Sequence, residues 1–280
     1  MGAASCCSDP AFPFVSPAFA ERIATAGANW ATIRCGPLWK YGWVGNDYIS
    51  GDATYRQYVT APDGRADLGQ FNEAYFVKVR TLLQRLYELR LYVEIDLVDA
   101  WTMERPEAHP WSRENNVQGF DGGDCSILQH VPHGYAIAFV HRLIHETGMF
   151  SNVLYQIGNE TFDCRGVLSK DWEIGIVAAV RNQEVWDKYD RHLIGSNAYP
   201  TLPNQPWADY ESWHQNSFPP AGPRPRQVNE YGKDLSPEQW GIQARIGLAK
   251  GGAFHLWVGD LDEAGIDATL REMMTIREER

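Results

Sequence analysis

Hydrophobic and polar positions follow two rhythms along this chain. In FNEAYFVKVRTLLQRLYELR (71–90) apolar residues recur at steps of three and four, which predicts an amphipathic helix. LYVEIDLV (91–98) follows as a short run rich in β-branched residues, which predicts a buried strand. The couplet repeats: HGYAIAFVHRLIHETG (133–148) leads into NVLYQIGNE (152–160), and DWEIGIVAAVRNQEVWDKYD (171–190) into RHLIGSNAY (191–199). PAFAERIATAG (17–27) stands in the same relation to NWATIRCGPLW (29–39). YESWHQNS (210–217), RPRQVNEY (224–231) and GAFHLWVG (252–259) read as three more strands. SPEQWGIQARIGLAKG (236–251) predicts a helix between the last two, and DEAGIDATLREMMTIREER (262–280) predicts a closing one.

Strands alternating with helices imply a parallel sheet with its faces covered. Seven clear strands in 280 residues, with no linker between them, predict one (β/α)8 TIM barrel spanning residues 1–280. The rival is a doubly wound sheet, which would carry a glycine-rich phosphate loop after its first strand; none is seen. The expected first strand is short or absent, because only FPFV (12–15) offers β-rich residues ahead of the first helix.

Composition narrows the chemistry. At 44% hydrophobic and 22% charged the chain is built to fold around a core. A net charge of -11 disfavours nucleic acid and polyanionic substrates as partners. No apolar run reaches the length of a membrane span, so no membrane partner is expected. MGAASCCSDP lacks the basic and apolar regions of a signal peptide. Location therefore stays open: secreted or periplasmic if a leader was removed, otherwise cytoplasmic. The oligomeric state is also open. Five cysteines, at 6, 7, 35, 125 and 164, make no dense framework and leave room for one local disulfide. The 11 tryptophans are many for a core to absorb and suggest a cleft for flat or ring-shaped neutral ligands.

Two stretches, 40–70 and 99–132, lack regular periodicity and follow strand ends, as binding loops of a barrel do. Two glutamates close strands in matching fashion. Glu160 ends NVLYQIGNE and Glu230 ends RPRQVNE, each preceded by Asn (Asn159 and Asn229). Counted as the ends of strands four and seven, both would emerge on one face of the barrel. Glycoside hydrolysis needs such a pair: an acid to protonate the leaving oxygen and a carboxylate to attack the anomeric carbon or to activate water. A lone strand-end glutamate more commonly caps or pairs; the matched positions favour the catalytic reading.

The ordered set resembles the clan A retaining glycoside hydrolases, and FNEAYF, PWSRENNVQGFDG and NVLYQIGNE are similar to a bacterial group of cellulase-like proteins. The resemblance implies Glu160 as acid/base, Asn159 as its sugar-binding neighbour and Glu230 as nucleophile. It implies Arg34, in IRCG, as a support for the nucleophile and His214, in SWHQN, as a strand-six site residue. Trp257, in HLWVG, would floor a sugar subsite, with β-glucan or mannan as the leading substrate. Two features depart from the pattern: Asn216 stands where Tyr is usual, and EIDLVDAW offers Asp96 and Asp99 where a His is common.

Pyranose faces pack on indole, so Trp39 or Trp43 and Trp101 or Trp111, at or beyond predicted strand ends, are further substrate-binding candidates. Trp172, Trp186 and Trp240, within predicted helices, read as packing residues. Asn115, Asn116, Asp121 and Asp124 lack the spacing of a calcium loop and read as loop caps. HRLIH is not a zinc-protease motif. Neither a metal nor a cofactor is expected. The competing functions are a carbohydrate-binding barrel without turnover and, further off, a metal-dependent barrel hydrolase.

Overall fold

The computed structural model describes residues 2–4, 17–37, 39, 42–43, 46–47, 56–98, 100–103, 109–159, 161, 170–197, 205–213, 225–231, 236–239, 241–242, 245, 253–257 and 263–278. Eight strands close into a barrel: β1 (Gly2–Ala4), β2 (Trp30–Arg34), β3 (Tyr92–Asp96), β4 (Val153–Gln156), β5 (Ile194–Ser196), β6 (Tyr210–Trp213), β7 (Arg226–Tyr231) and β8 (Ala253–Trp257). Every neighbouring pair is parallel and ring order follows chain order. This is the (β/α)8 architecture, and the closed ring removes the doubly wound alternative.

The first strand is present and short, but it is not FPFV. β1 is GAA, with Ala3 opposite Leu256 of β8 on one side and Ala31 of β2 on the other. Residues 12–15 lie outside the described residues. Three small residues carry no strand pattern; what recruits them is the row of backbone donors and acceptors that β2 and β8 would otherwise leave unpaired.

The helices are α1 (Pro17–Thr25), α2 (Glu73–Glu88), α3 (Gly134–Thr147), α4 (Lys170–Asp187) and α5 (Glu263–Glu278), with one further helical turn at Ala100–Met103. Between β7 and β8 the described positions 237–239, 241–242 and 245 are helical. The apolar stripe of α2, Tyr75, Phe76, Val79, Leu82, Leu83 and Leu86, is buried. Asn72 starts this helix by accepting from the backbone N–H of Ala74 at 3.2 Å. α1 packs on α2, α2 on α3, and α3 on α4.

Inside the barrel, alternate strand residues form layers. Thr32 and Glu94 are register partners on β2 and β3, and both are buried. The Tyr210 hydroxyl, from β6, donates to Glu94 Oε2 at 2.6 Å, and Thr32 donates to Oε1 at 3.4 Å. Gly195 of β5 makes room for that tyrosine: a Cβ there would lie 2.3 Å from two of its ring carbons. Gly195→Ala is therefore expected to lose about 1–3 kcal/mol of stability through overpacking, measured as a lower urea midpoint with an unchanged slope.

Both predicted loop regions carry structure of their own. In the first, Gly42–Trp43 pairs with Asn46–Asp47, and Tyr58–Thr60 pairs with Ala66–Phe71. The second hairpin turns at Pro62–Asp63–Gly64, with Gly64 at φ +85° where a side chain would be strained. Its edge meets the other region through an Ala66–Asn116 bridge, and the Val117 N–H donates to the Ala66 carbonyl at 3.0 Å. The expected cap role holds for Asn116, whose amide donates to the carbonyls of Pro110, Ser112 and Phe120 at 3.1, 2.7 and 2.9 Å. It holds also for Asp124, which accepts from the Ser126 N–H at 2.6 Å.

Candidate active site

The carboxyl ends of all eight strands open on one face. Along β2 and β3, Arg34 and Asp96 lie two residues beyond Thr32 and Glu94 and so on the same inward side, one layer nearer the mouth. Arg34 Nε is 3.7 Å from Asp96 Oδ2; the arginine side chain is 11% exposed and the aspartate fully buried. A charge this deep needs an opposite one, which accounts for an Asp at the end of β3. The sequence singled out both residues but not their pairing, because register partners on neighbouring strands are invisible without the sheet.

Glu230 lies on β7, one residue before its end. Val228 pairs with Phe254 and Tyr231 with Leu256, so β7 spends three residues where β8 spends two. The irregularity falls on Asn229 and Glu230. Such bulges re-aim a side chain and recur beside active sites. Trp257 is the last residue of β8, opposite Ala4 of β1. For Glu230, Trp257, Trp43 and Trp101 the description is of the backbone: Trp43 is in the first hairpin and Trp101 in the helical turn after β3. Glu160 and His214 lie outside the described residues, as do Asp99 and Asn216.

The approach to Glu160 is described on both sides. Beyond β4 the Ile157 N–H donates to the Gly195 carbonyl at 2.9 Å, and the Asn159 N–H to the Val98 carbonyl at 2.8 Å. Asn159 in turn accepts from the Ala100 N–H at 3.0 Å and is fully buried. Gly158 is forced by closeness, since a Cβ there would meet the Val98 carbonyl oxygen at 3.0 Å and Thr161 Cγ2 at 2.7 Å. Thr161 is also fully buried, and its hydroxyl donates to Glu173 Oε1 at 3.2 Å.

No sequence pattern marks Glu173. It lies in the first turn of α4, where an acid normally faces solvent and complements the helix dipole. Here it is buried, and its other oxygen accepts from the Ser196 hydroxyl and the Trp207 indole N–H, each at 2.8 Å. Burial holds its carboxyl above the ordinary range despite these three donors.

The tryptophan candidates divide. Trp39 is 2% exposed, and the Arg56 guanidinium stacks over its ring at 4.7 Å. Trp111 is fully buried and donates from its indole to the Tyr58 hydroxyl at 3.0 Å. Among the helical tryptophans, Trp172 is buried as expected, but Trp186 is 82% exposed. Trp186 continues the stripe of Trp172 and Ala179 at seven-residue steps, in the last turn of an 18-residue helix. Periodicity gives a direction around the helix, not the depth of the surface it meets.

Of the described cysteines, Cys35 is free and buried, its thiol pushed up to about 12 by desolvation, and Cys125 is disulfide-bonded. No helix among the described residues is long and apolar enough to cross a membrane.

No protein-family model and no curated protein matches the chain. Solved structures do. A candidate glycoside hydrolase from Bacteroides vulgatus superposes with a TM-score of 0.65 at 15% identity, over 99% of this chain and 56% of that one. An endo-β-1,4-mannanase from Thermotoga petrophila gives 0.61 at 12% identity, over 99% and 76%. Thermotoga maritima Cel5A, solved in complex with mannotriose, gives 0.58 at 11% identity, over 97% of both chains. This chain spans 56% and 65% of the length of the first two matching structures. At these identities the likeness establishes the barrel fold.

Proposed function

We propose that the chain is a retaining glycoside hydrolase that cleaves β-linkages of a neutral oligo- or polysaccharide, with β-glucan and mannan the leading substrates. The observation that carries this reading is positional. Glu230 falls on the bulge near the mouth end of β7, and β4, which leads into Asn159–Glu160, lies three strands away around the same ring. Parallel strands direct the carboxyl ends of β4 and β7 to one face, where barrel enzymes place their chemistry. The mannanase and the mannotriose complex among the superposable structures support the substrate class.

In this reading Glu230 attacks the anomeric carbon while protonated Glu160 gives its proton to the departing oxygen. Water then releases the glycosyl-enzyme with Glu160 as base. Arg34, paired with Asp96, is the proposed support for Glu230, and Asn159 is the proposed sugar-binding neighbour of Glu160. Trp257, Trp43 and Trp101 are the proposed indole platforms. His214 completes the proposed set. Trp39 contributes packing rather than an open platform, because Arg56 covers its ring. The disulfide at Cys125 favours an oxidising compartment.

Incubation with β-glucan, mannan and xylan tests the proposal. The expected result is cleavage of at least one, with the first product released in the β configuration by NMR. Binding without turnover across the panel would favour the carbohydrate-binding barrel instead. Release of the α anomer would contradict retention.

A further inference from the structure

We propose that Glu173 is a positioning residue for the acid/base, holding through Thr161 the residue that follows Glu160 in the chain; this rests on the glycosidase reading of Glu160. The two chain neighbours of Glu160 are held by different means. On the Asn159 side the clamp is backbone to backbone, against Val98 and Ala100 in the exit from β3. On the Thr161 side it is a side-chain clamp, the hydroxyl of Thr161 on Glu173 Oε1.

Glu173 is itself fixed by two further elements. Ser196 closes β5, and Trp207 lies in the connection from β5 to β6. One carboxyl thus joins the β4 exit, the β5 end, the following connection and the first turn of α4. A buried carboxyl is costly, and its raised proton affinity shows that three donors do not fully offset desolvation. A stability role alone would be served at lower cost by an apolar side chain. What a carboxyl adds is directional acceptance from three donors at set angles. General acid catalysis needs that fixity, since proton transfer depends on hydrogen-bond reach to one leaving oxygen.

Two variants separate the anchor from the fold. Thr161→Val removes only the hydroxyl link and leaves Glu173 its bonds to Ser196 and Trp207. Glu173→Gln keeps the link, because the amide oxygen can face Ser196 and Trp207 while its NH2 donates to the Thr161 hydroxyl. Aryl β-glycosides of the preferred sugar supply the readout, one with a poor leaving group (phenol) and one with a good one (dinitrophenol). A good leaving group needs little acid assistance.

Thr161→Val is expected to lower kcat on the phenyl glycoside about 10- to 100-fold, a part of the full general-acid contribution. On the dinitrophenyl glycoside the loss should stay within about 3-fold, and Glu173→Gln should stay within about 3-fold on both. Equal losses on the two substrates, or none on either, would overturn the positioning role. Glu160→Ala separates that failure from failure of the underlying reading. If its loss does not depend on leaving group, Glu160 is not the acid and the acid/base reading of Glu160 itself falls.

Discussion

Glu230→Ala is expected to lower kcat by about 10³-fold or more on any polysaccharide the wild type cleaves. The residue sits in the stretch of β7 where the register against β8 shifts, between Val228 and Tyr231. No neighbour can replace it: Asn229 has no charge to offer, and Tyr231 is back in register with Leu256. Removing the carboxylate should leave a space from which a small anion can attack. Azide is therefore expected to restore part of the rate on a dinitrophenyl glycoside and to give the α-glycosyl azide, one inversion instead of two. Glu160→Ala should behave differently. With Glu230 still present, the glycosyl-enzyme forms from good leaving groups, azide intercepts it, and the product is the β-azide. Product configuration by NMR thus assigns each residue its own role. Near-wild-type turnover in either variant, or the same azide product from both, would contradict the assignment.

The barrel was legible because most of its units repeat one couplet of amphipathic helix and buried strand. Helix α2 runs over Glu73–Glu88 where 71–90 is predicted, and β3 over Tyr92–Asp96 where 91–98 is predicted. The misses have physical causes. β1 is three small residues whose place is set by two neighbouring strands, so no local pattern marks it. The hairpin at Tyr58–Phe71 did carry a signal, Pro-Asp-Gly between YVT and ADLGQF, but its second strand alternates poorly, with Gly69 and Gln70 both exposed. Arg34 could be read from a strand end, whereas its ion pair with Asp96 needs the β2–β3 register. Glu173 has the sequence signature of a solvent-facing first-turn acid. Only the packing of α4 against the ends of β4 and β5 turns it inward.

Acidification is expected to unfold this protein steeply, through two histidines rather than through the proposed catalytic carboxylates. His109 is fully buried, and desolvation, reinforced by nearby His133, lowers it from 6.5 to about 3. His133 is lowered from 6.5 to about 4, again mainly by desolvation. Both rings lie in one aromatic cluster, with Trp111 at centroid distances of 4.7 Å from His109 and 4.6 Å from His133. Each also spends Nδ1 as an acceptor, from the Trp111 N–H at 3.2 Å and from the Ala136 N–H at 3.1 Å. A proton on either Nδ1 would break that bond and bring a charge into the cluster. Between their folded values and 6.5 the unfolded chain binds these protons and the native protein does not, so stability falls with pH. The contribution is full above about pH 6.5 and is lost as pH falls toward 4 and then 3, with each histidine adding up to about 1.4 kcal/mol per pH unit. Glu173, held above the ordinary carboxyl range, pulls the other way, since its native form takes up a proton first. His133→Asn isolates one histidine, because Asn can cap α3 by accepting from Ala136 without an imidazole to protonate. Urea unfolding at a series of pH values should show the slope near pH 5 reduced by about 1.4 kcal/mol per pH unit in the variant, even though lost ring contacts lower its stability at pH 7. An unchanged slope would place the acid sensitivity elsewhere, in surface carboxylates held low by hydrogen bonds: Asp63 by Arg65, Glu73 by Arg142, and Glu88 by Gln84 and then Arg85.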